Sequence, residues 1–196
     1  MIASIHQPEH FPYMGFFQKM SSADVFVILD NVQYKKRNFQ NRNKIKLKSG
    51  EDYWLTVPVD KDSDRKVIKD VTVSKDTLWR KKLIRTVLEH LKFDISEFYE
   101  HEKLIDINMS SIKWCMKKLS INTPLVYASD LSNLSGSKSE LLASILREIG
   151  ANKYISGPSG KDYLDLSYFE GIEVEFFEPK VKNYYSCIYN ILRQDC

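Results

Sequence analysis

Apolar and polar residues alternate along the chain in two rhythms, which predict strands and helices in turn. Short apolar stretches, typical of buried strands, begin at Ile2, Val25, Leu125, Lys153 and Ile172. Between them, apolar residues with helical spacing predict helices from residues 13, 77 and 138. Strands that alternate with helices form parallel sheets with right-handed crossovers. We therefore expect a single α/β domain over residues 1–196, with a mainly parallel sheet and helices on both of its faces.

A different pattern, around residues 32–74, predicts a β-hairpin inserted into this fold. Amide and basic residues alternate from residue 41 to residue 46, which places the amides on one side of a strand and the basic residues on the other. The predicted strands of the insertion cover residues 41–46, 53–59 and 67–74. Trp54, on the second of these strands, is expected to be a core residue.

Length, composition and charge indicate an ordinary globular protein. With 196 residues, 43% of them hydrophobic and 28% charged, the chain is long enough to bury a sizeable core. The net charge of +3 is small, and acidic residues are interspersed among the lysines. Such a surface does not require nucleic acid as a partner, so we expect no stable nucleic acid complex.

Cysteine usage and the distribution of apolar residues point to the cytoplasm. Cys115, Cys187 and Cys196 are an odd number without paired spacing, which argues against a disulfide framework and indicates a reducing compartment. We find neither the pattern of a signal peptide nor an apolar run near the ~18 residues that a membrane span needs. The expectation is a soluble cytoplasmic protein without a membrane partner.

Two histidines near the N-terminus raise the question of a metal site. Histidines four residues apart share one face of a helix, but Pro8 lies between His6 and His10 and prevents that helix. The scattered cysteines do not have zinc-binding spacing either. The sequence therefore predicts no bound metal, and it identifies no cofactor.

Polar residues at the ends of predicted strands indicate a small-molecule site. His6 follows the first strand and Asp30 the second, and α/β proteins bind ligands at the carboxyl ends of their strands. A basic, amide-rich segment follows, in which Arg42 offers a planar fork and Lys44 a point charge for a phosphate or carboxylate. We expect the following side chains to converge on one cleft: His6, Asp30, Asn41, Arg42, Asn43 and Lys44. The alternatives are a packed strand-end histidine and an edge strand protected by lysine.

The turn before the first helix is a second candidate for ligand contact. Gly15 would let the backbone approach a ligand, and the start of a helix favours an anion. Nucleotidylyltransferases carry a His-x-Gly-His turn at this place, where Tyr13 and Phe16 stand here. Tyr13 and Gly15 therefore remain predicted binding residues, but the groups for adenylyl transfer are absent.

The glycine-rich segment at residues 156–161 is a third candidate. It is too short for a phosphate-binding loop, and Asp162 stands where a Ser or Thr should bind magnesium. As a turn at the carboxyl end of a strand, it would let Gly157 and Gly160 line a pocket, with Tyr163 behind them. A plain connecting turn is the alternative.

These segments resemble the WbqC-like family over most of the chain. The resemblance is carried by the blocks IHQPEHFPYMGFFQKM, DVFVILDNVQYKKRNFQNRNKIK, YWLTVPV, YISGPSGKDYLD and GIEVEF. The residues that match the family's signature positions are His6, Gln7, Pro8, Gly15, Asp30, Gln33, Asn41, Arg42, Asn43 and Lys44. The C-terminal tail, KVKNYYSCIYNILRQDC, is shorter than the family pattern and altered.

The resemblance implies a role in bacterial surface-polysaccharide synthesis, because the family occurs in gene clusters for O-antigen lipopolysaccharide. It implies a transferase that moves a small acyl group, such as glycyl, from an aminoacyl donor to a nucleotide-linked amino sugar. His6 would act as the general base, and Asp30 would fix His6 or bind a hydroxyl. Two alternatives stay open: an ATP-dependent ligase or nucleotidylyltransferase-like enzyme, and a non-catalytic protein that binds a sugar nucleotide. The sequence does not determine the oligomeric state.

Overall fold

The computed structural model describes residues 1–194, so Cys196 lies outside the described residues. The strands, in chain order, are β1 (Ile2–His6), β2 (Val25–Ile28), β3 (Arg42–Lys46), β4 (Asp52–Thr56), β5 (Leu125–Tyr127), β6 (Lys153–Ser156) and β7 (Glu173–Phe176). The helices are α1 (Met14–Ser21), α2 (Leu78–Leu91), α3 (Leu104–Lys118), α4 (Lys138–Glu148), α5 (Gly160–Tyr163) and α6 (Cys187–Arg193).

Backbone contacts divide the chain into two compact units, which are described one at a time. The first unit contains Met1–Gln7, Gly15–Asp30 and Asn122–Lys180. The second contains Pro8–Met14, Asn31–Ile121 and the chain from Val181 onward. Each unit thus combines segments that are distant in sequence.

The first unit is built on a parallel sheet with the strand order β5-β2-β1-β6-β7. Within the described residues, every neighbouring pair of these strands is parallel. All residues of β2 are buried, as expected for an inner strand of a parallel sheet covered on both faces. Helix α1 packs on this sheet through Phe16, whose ring contacts Phe26 edge to face. The predicted α/β class and the five predicted strands are confirmed, although the last strand begins at Glu173 rather than Ile172.

The second unit contains the antiparallel hairpin of β3 and β4, together with α2, α3 and α6. The predicted alternation along β3 is confirmed. Asn43 and Ile45 are buried, whereas Arg42 and Lys44 are partly exposed on the opposite side. Gly50 closes the hairpin with a φ of 92°, a left-handed conformation that side chains other than glycine rarely adopt.

The helix predicted from residue 77 is α2, and it belongs to the second unit, where it contacts α6. One expectation about this unit is wrong. Residues 67–74 do not form a strand, because a 3-10 turn at Ile68–Asp70 interrupts them. Ile68 and Val71 are both fully buried, and their spacing of three fits a turn rather than the alternation of a strand.

Candidate functional site

In the first unit, the predicted residues lie along the carboxyl ends of the parallel strands. From β1 the chain continues to β2 and β5 on one side, and later adds β6 and β7 on the other. Such a switch point, here between β1 and β6, is where open α/β sheets bind ligands. The predicted residues in this unit are His6, Gln7, Gly15, Asp30, Gly157, Gly160 and Tyr163.

His6 ends β1 in a half-buried position, and its surroundings affect its protonation. Its Nδ1 lies 3.0 Å from the carbonyl oxygen of Gln7, and its ring meets that of Phe16 edge to face at 4.9 Å. A carbonyl can only accept a hydrogen bond, so Nδ1 carries the proton and Nε2 is an acceptor. Burial, and secondarily the charge of Lys19, lower the pKa of His6 to about 3. The imidazole is therefore neutral at physiological pH and a weak base.

Asp30, two residues after β2, is buried and already engaged. One carboxylate oxygen accepts a hydrogen bond from the backbone N–H of Ser129 at 2.9 Å, and the other accepts one from the Ser129 hydroxyl at 2.7 Å. Ser129 lies in the short 3-10 turn that follows β5. These bonds tie the end of β2 to the end of β5. The proposed role of Asp30 beside His6 stays a prediction.

In the glycine-rich turn after β6, one glycine is required for steric reasons. A Cβ on Gly160 would lie 2.2 Å from the hydroxyl oxygen of Ser156, so the turn has no room for a larger residue. The N–H of Gly160 donates to the carbonyl of Gly157 at 3.0 Å. Tyr163 is 60% exposed, and Gly15 is buried in the first turn of α1. Their roles in ligand binding remain predictions.

In the second unit, the two predicted asparagines are buried and bonded to backbone. Asn41 donates from Nδ2 to the carbonyl of Val57 at 2.9 Å. Asn43 donates to the carbonyl of Phe11 at 2.8 Å and accepts from the N–H of Lys44 at 2.8 Å. These contacts favour a structural role for both amides.

The other predicted residues of this unit also have partners. Arg42 donates from Nη2 to the carbonyl of Arg37 at 2.7 Å. Lys44 forms an ion pair with Asp52 at 2.6 Å. Gln33 donates to the carbonyl of Asp64 at 2.7 Å, and the ring of Tyr13 lies 5.6 Å from that of Tyr184.

A pocket of about 250 Å³ opens beside Arg42, and we call it the basic–aromatic pocket. Its lining residues are Lys35, Lys36, Arg37, Asn38, Phe39, Arg42 and Trp54. Lys36 is paired with Asp64 at 2.9 Å. Within residues 1–194, the side chains of Lys35 and Arg37 make no ion pair. The pocket therefore carries uncompensated positive charge, which favours an anionic ligand.

The loop that lines this pocket is held by its backbone. Gln40 accepts from the N–H of Lys35 at 2.9 Å, and the carbonyl of Phe39 accepts from the N–H of His10 at 2.9 Å. Arg37 has a φ of 60°, a conformation that is uncommon for residues other than glycine and that recurs at functional sites. These contacts and the left-handed conformation of Arg37 define the shape of the loop.

Sequence reasoning missed the aromatic side of this pocket. Trp54, predicted as a core residue, is 39% exposed, and Phe39 is 45% exposed. The usable signal was the hairpin register, because Trp54 pairs with Lys44 across β3 and β4 and so shares the face of the basic residues.

The described part of the chain shows no group of three His, Cys, Asp or Glu side chains suited to a metal ion. None of the helices within residues 1–194 combines the length and apolarity required to cross a membrane.

Comparisons with known proteins relate this sequence to a family. The sequence matches the WbqC-like protein family over residues 7–191. It is also similar to the uncharacterized protein Rv1507c of Mycobacterium tuberculosis, with 31% identity over 185 residues, which cover 87% of this chain and 78% of that protein. No solved structure matches the chain.

Proposed function

The chain belongs to the WbqC-like protein family, and on that premise we propose that it acts on a nucleotide-linked amino sugar in bacterial surface-polysaccharide synthesis. In this proposal the protein is a cytoplasmic transferase that attaches a small acyl group, such as glycyl, to the sugar amine. The observation that supports it best is the basic–aromatic pocket, whose unpaired cations suit the diphosphate of such a ligand.

Part of the phosphate-binding set that the sequence favoured is already paired. Lys44 forms an ion pair with Asp52, whereas the hydrogen bond from Arg42 to the carbonyl of Arg37 leaves the charge of Arg42 uncompensated. Among residues 1–194, the cations of the pocket without an ion pair are Lys35, Arg37 and Arg42. A guanidinium and an ammonium together offer a fork and a point charge, which is the combination first assigned to Arg42 and Lys44.

Acyl transfer requires a bond between the amine nitrogen and the acyl carbon, while the bond from the acyl carbon to its leaving group breaks. The amine also loses a proton, which leaves with the leaving group or passes to water. A histidine with a pKa of about 3 holds a proton poorly at neutral pH. We therefore do not assign His6 the role of a general base.

A second candidate function is the binding of a sugar nucleotide without catalysis. It is favoured by the same two observations that weaken the catalytic assignment, namely the low pKa of His6 and the engagement of Asp30 by Ser129. A nucleotidylyltransferase-like mechanism has less support. Phe16, which stands at a histidine position of that motif, is fully buried against Phe17 and Phe26.

Thermal unfolding with nucleoside diphosphate sugars tests the proposal. A ligand at 100 times its dissociation constant adds about 2.7 kcal/mol to the free energy of unfolding. We expect this shift with nucleotide sugars and its loss in Lys35→Ala and Arg37→Ala. Lys81→Ala, which removes an exposed lysine from α2, is the matched control and should keep the shift.

Mass spectrometry of the sugar product separates the two candidate functions. Incubation with a nucleotide-linked amino sugar and an activated aminoacyl donor should add the acyl mass to the sugar if the protein is a transferase. Binding without any added mass, across a panel of donors, would favour the non-catalytic function. No stabilisation by any nucleotide sugar would contradict both.

A further inference from the structure

The basic–aromatic pocket has two walls of different chemistry. One wall carries the cations Lys35 and Arg37, and the other carries the exposed rings of Phe39 and Trp54. Large aromatic side chains are normally buried, so two of them at the mouth of a charged pocket call for a ligand with an apolar, planar part.

The rings of Phe39 and Trp54 lie near each other without stacking. Their centroids are 6.5 Å apart with the planes tilted by 36°, which is near the outer limit of direct ring contact. The guanidinium of Arg42 lies 4.3 Å from the Trp54 ring centroid, and the ammonium of Lys44 lies 5.6 Å from it. Both cations thus lie over the indole, and the two rings remain partly exposed and line the pocket.

We propose that this pocket binds the nucleoside end of the ligand, with the base stacked on Phe39 and Trp54 and the phosphates on Lys35 and Arg37. This inference rests on the proposed function, according to which the ligand is a nucleotide-linked sugar. It adds the orientation of that ligand in the pocket. Every nucleobase has a π-face, so stacking of this kind tolerates different bases.

The sugar end fits this pocket less well for two reasons. An amino sugar that carries an ammonium group would be repelled by the cations of Lys35, Lys36, Arg37 and Arg42. Sugar hydroxyls need polar acceptors, and the side-chain oxygen of Asn38 already accepts from the N–H of Phe39 at 2.6 Å. With about 250 Å³, the pocket is also smaller than the ~300 Å³ at which ligand sites usually begin, which suits one end of a nucleotide sugar.

Isothermal titration with fragments of the ligand tests the orientation. The probes are uridine, cytidine, guanosine and thymidine diphosphates, inorganic pyrophosphate, and an amino sugar 1-phosphate. We expect at least one nucleoside diphosphate to bind more tightly than pyrophosphate by about 5- to 150-fold, the contribution of one stacked base. The amino sugar 1-phosphate should bind more weakly than pyrophosphate, because its ammonium meets the cations.

Variants of the two rings make the test specific. Trp54→Leu and Phe39→Leu should each weaken nucleoside diphosphate binding by about 5-fold or more while leaving pyrophosphate binding unchanged, and Trp54→Phe should retain part of the affinity. Tyr168→Leu, a comparably exposed aromatic residue in the first unit, is the control and should bind like the unaltered protein. Nucleoside diphosphate should also quench the fluorescence of Trp54, a loss that Trp54→Phe no longer shows.

The outcomes distinguish this inference from the proposed function. Equal affinity for pyrophosphate and every nucleoside diphosphate would overturn the stacking of a base while the phosphate site stands. Tighter binding of the amino sugar 1-phosphate than of the nucleoside diphosphates would reverse the orientation. That result would overturn this inference and leave the proposed function standing. Absence of binding by any phosphate probe would overturn the inference together with the proposed function.

Discussion

The carboxyl ends of the parallel strands and the basic–aromatic pocket differ in how far their polar groups are already satisfied. At the strand ends, Asp30 is bonded twice to Ser129 and His6 is held neutral by burial. In the pocket, Lys35 and Arg37 keep their charge without an ion pair among the described residues, and two aromatic rings are exposed. Groups with unused bonding capacity are the better candidates for ligand contact, although the sequence analysis placed the predicted catalytic residues at the strand ends.

The largest loss of stability is expected from replacement of Asp30 at the strand ends. Asp30→Ala removes two hydrogen bonds to a buried carboxylate, and each such bond contributes roughly 1.5–3 kcal/mol, so we expect the free energy of unfolding to fall by about 3 kcal/mol or more. Urea denaturation measures it. Ser129→Ala should cost less, because the backbone N–H of residue 129 still donates. A stable Asp30→Ala protein that has lost transfer activity would instead make Asp30 a functional residue.

Acid sensitivity should come from two histidines, one in each unit. Burial lowers the pKa of His6 and of His10 to about 3, from 6.5 in the unfolded chain. Below pH 6.5 the unfolded state binds more protons, so stability falls as the pH decreases toward 3. Between pH 7 and pH 5 each histidine should cost about 2 kcal/mol.

The pH dependence of urea midpoints in two variants assigns these costs. His6→Gln and His10→Gln should each remove about half of the loss between pH 7 and pH 5, even if the variants are less stable overall. His10 is fully buried and donates to or accepts from the hydroxyl of Tyr99 at 3.1 Å, so its replacement should lower stability more. An unchanged pH profile in His6→Gln would mean that this imidazole titrates normally, which would restore its candidacy as a general base.

Arg42→Lys tests whether Arg42 holds the pocket in the shape that binds a nucleoside diphosphate. The substitution keeps the positive charge but loses the hydrogen bond to the carbonyl of Arg37 and the planar contact with Trp54. We expect nucleoside diphosphate binding to weaken by about 10-fold, or ~1.4 kcal/mol, with little change in stability. Titration calorimetry measures the affinity, and Arg80→Lys, on a helix outside the pocket, is the control. Unchanged affinity would show that Arg42 does not hold the pocket in shape.

Lys44→Met should have the smallest effect. The Lys44–Asp52 ion pair is exposed, and pairs of this kind contribute little to stability because water screens them. The methionine keeps apolar contact with Trp54, so we expect neither the denaturation midpoint nor pyrophosphate affinity to change measurably. A clear loss of pyrophosphate binding would return Lys44 to the role of phosphate ligand that the sequence assigned to it.

The parts of the fold that follow from local periodicity could be predicted. The strands of the parallel sheet were found because buried strands form short apolar runs, and the two sides of β3 were found because side chains alternate along a strand. The strand predicted at residues 67–74 is wrong because Val71 and Val73 have the spacing of a strand, whereas Ile68 and Val71 have the spacing of a turn, and the segment is too short to decide between them. Helix α2 was recognised as a helix, but an apolar face does not specify which partner covers it.

The candidate site shows the same division between local and distant causes. The sequence by itself determined which residues carry charge, amide and aromatic chemistry, because these are properties of single side chains. Tertiary structure decided which of them are already engaged. Asp30 accepts hydrogen bonds from a serine 99 residues away, and burial together with the charge of Lys19 lowers the pKa of His6. It also decided that Trp54 stays exposed, since exposure depends on what the rest of the chain covers. Partners and burial arise from contacts between distant segments, and these set the chemistry that each group retains.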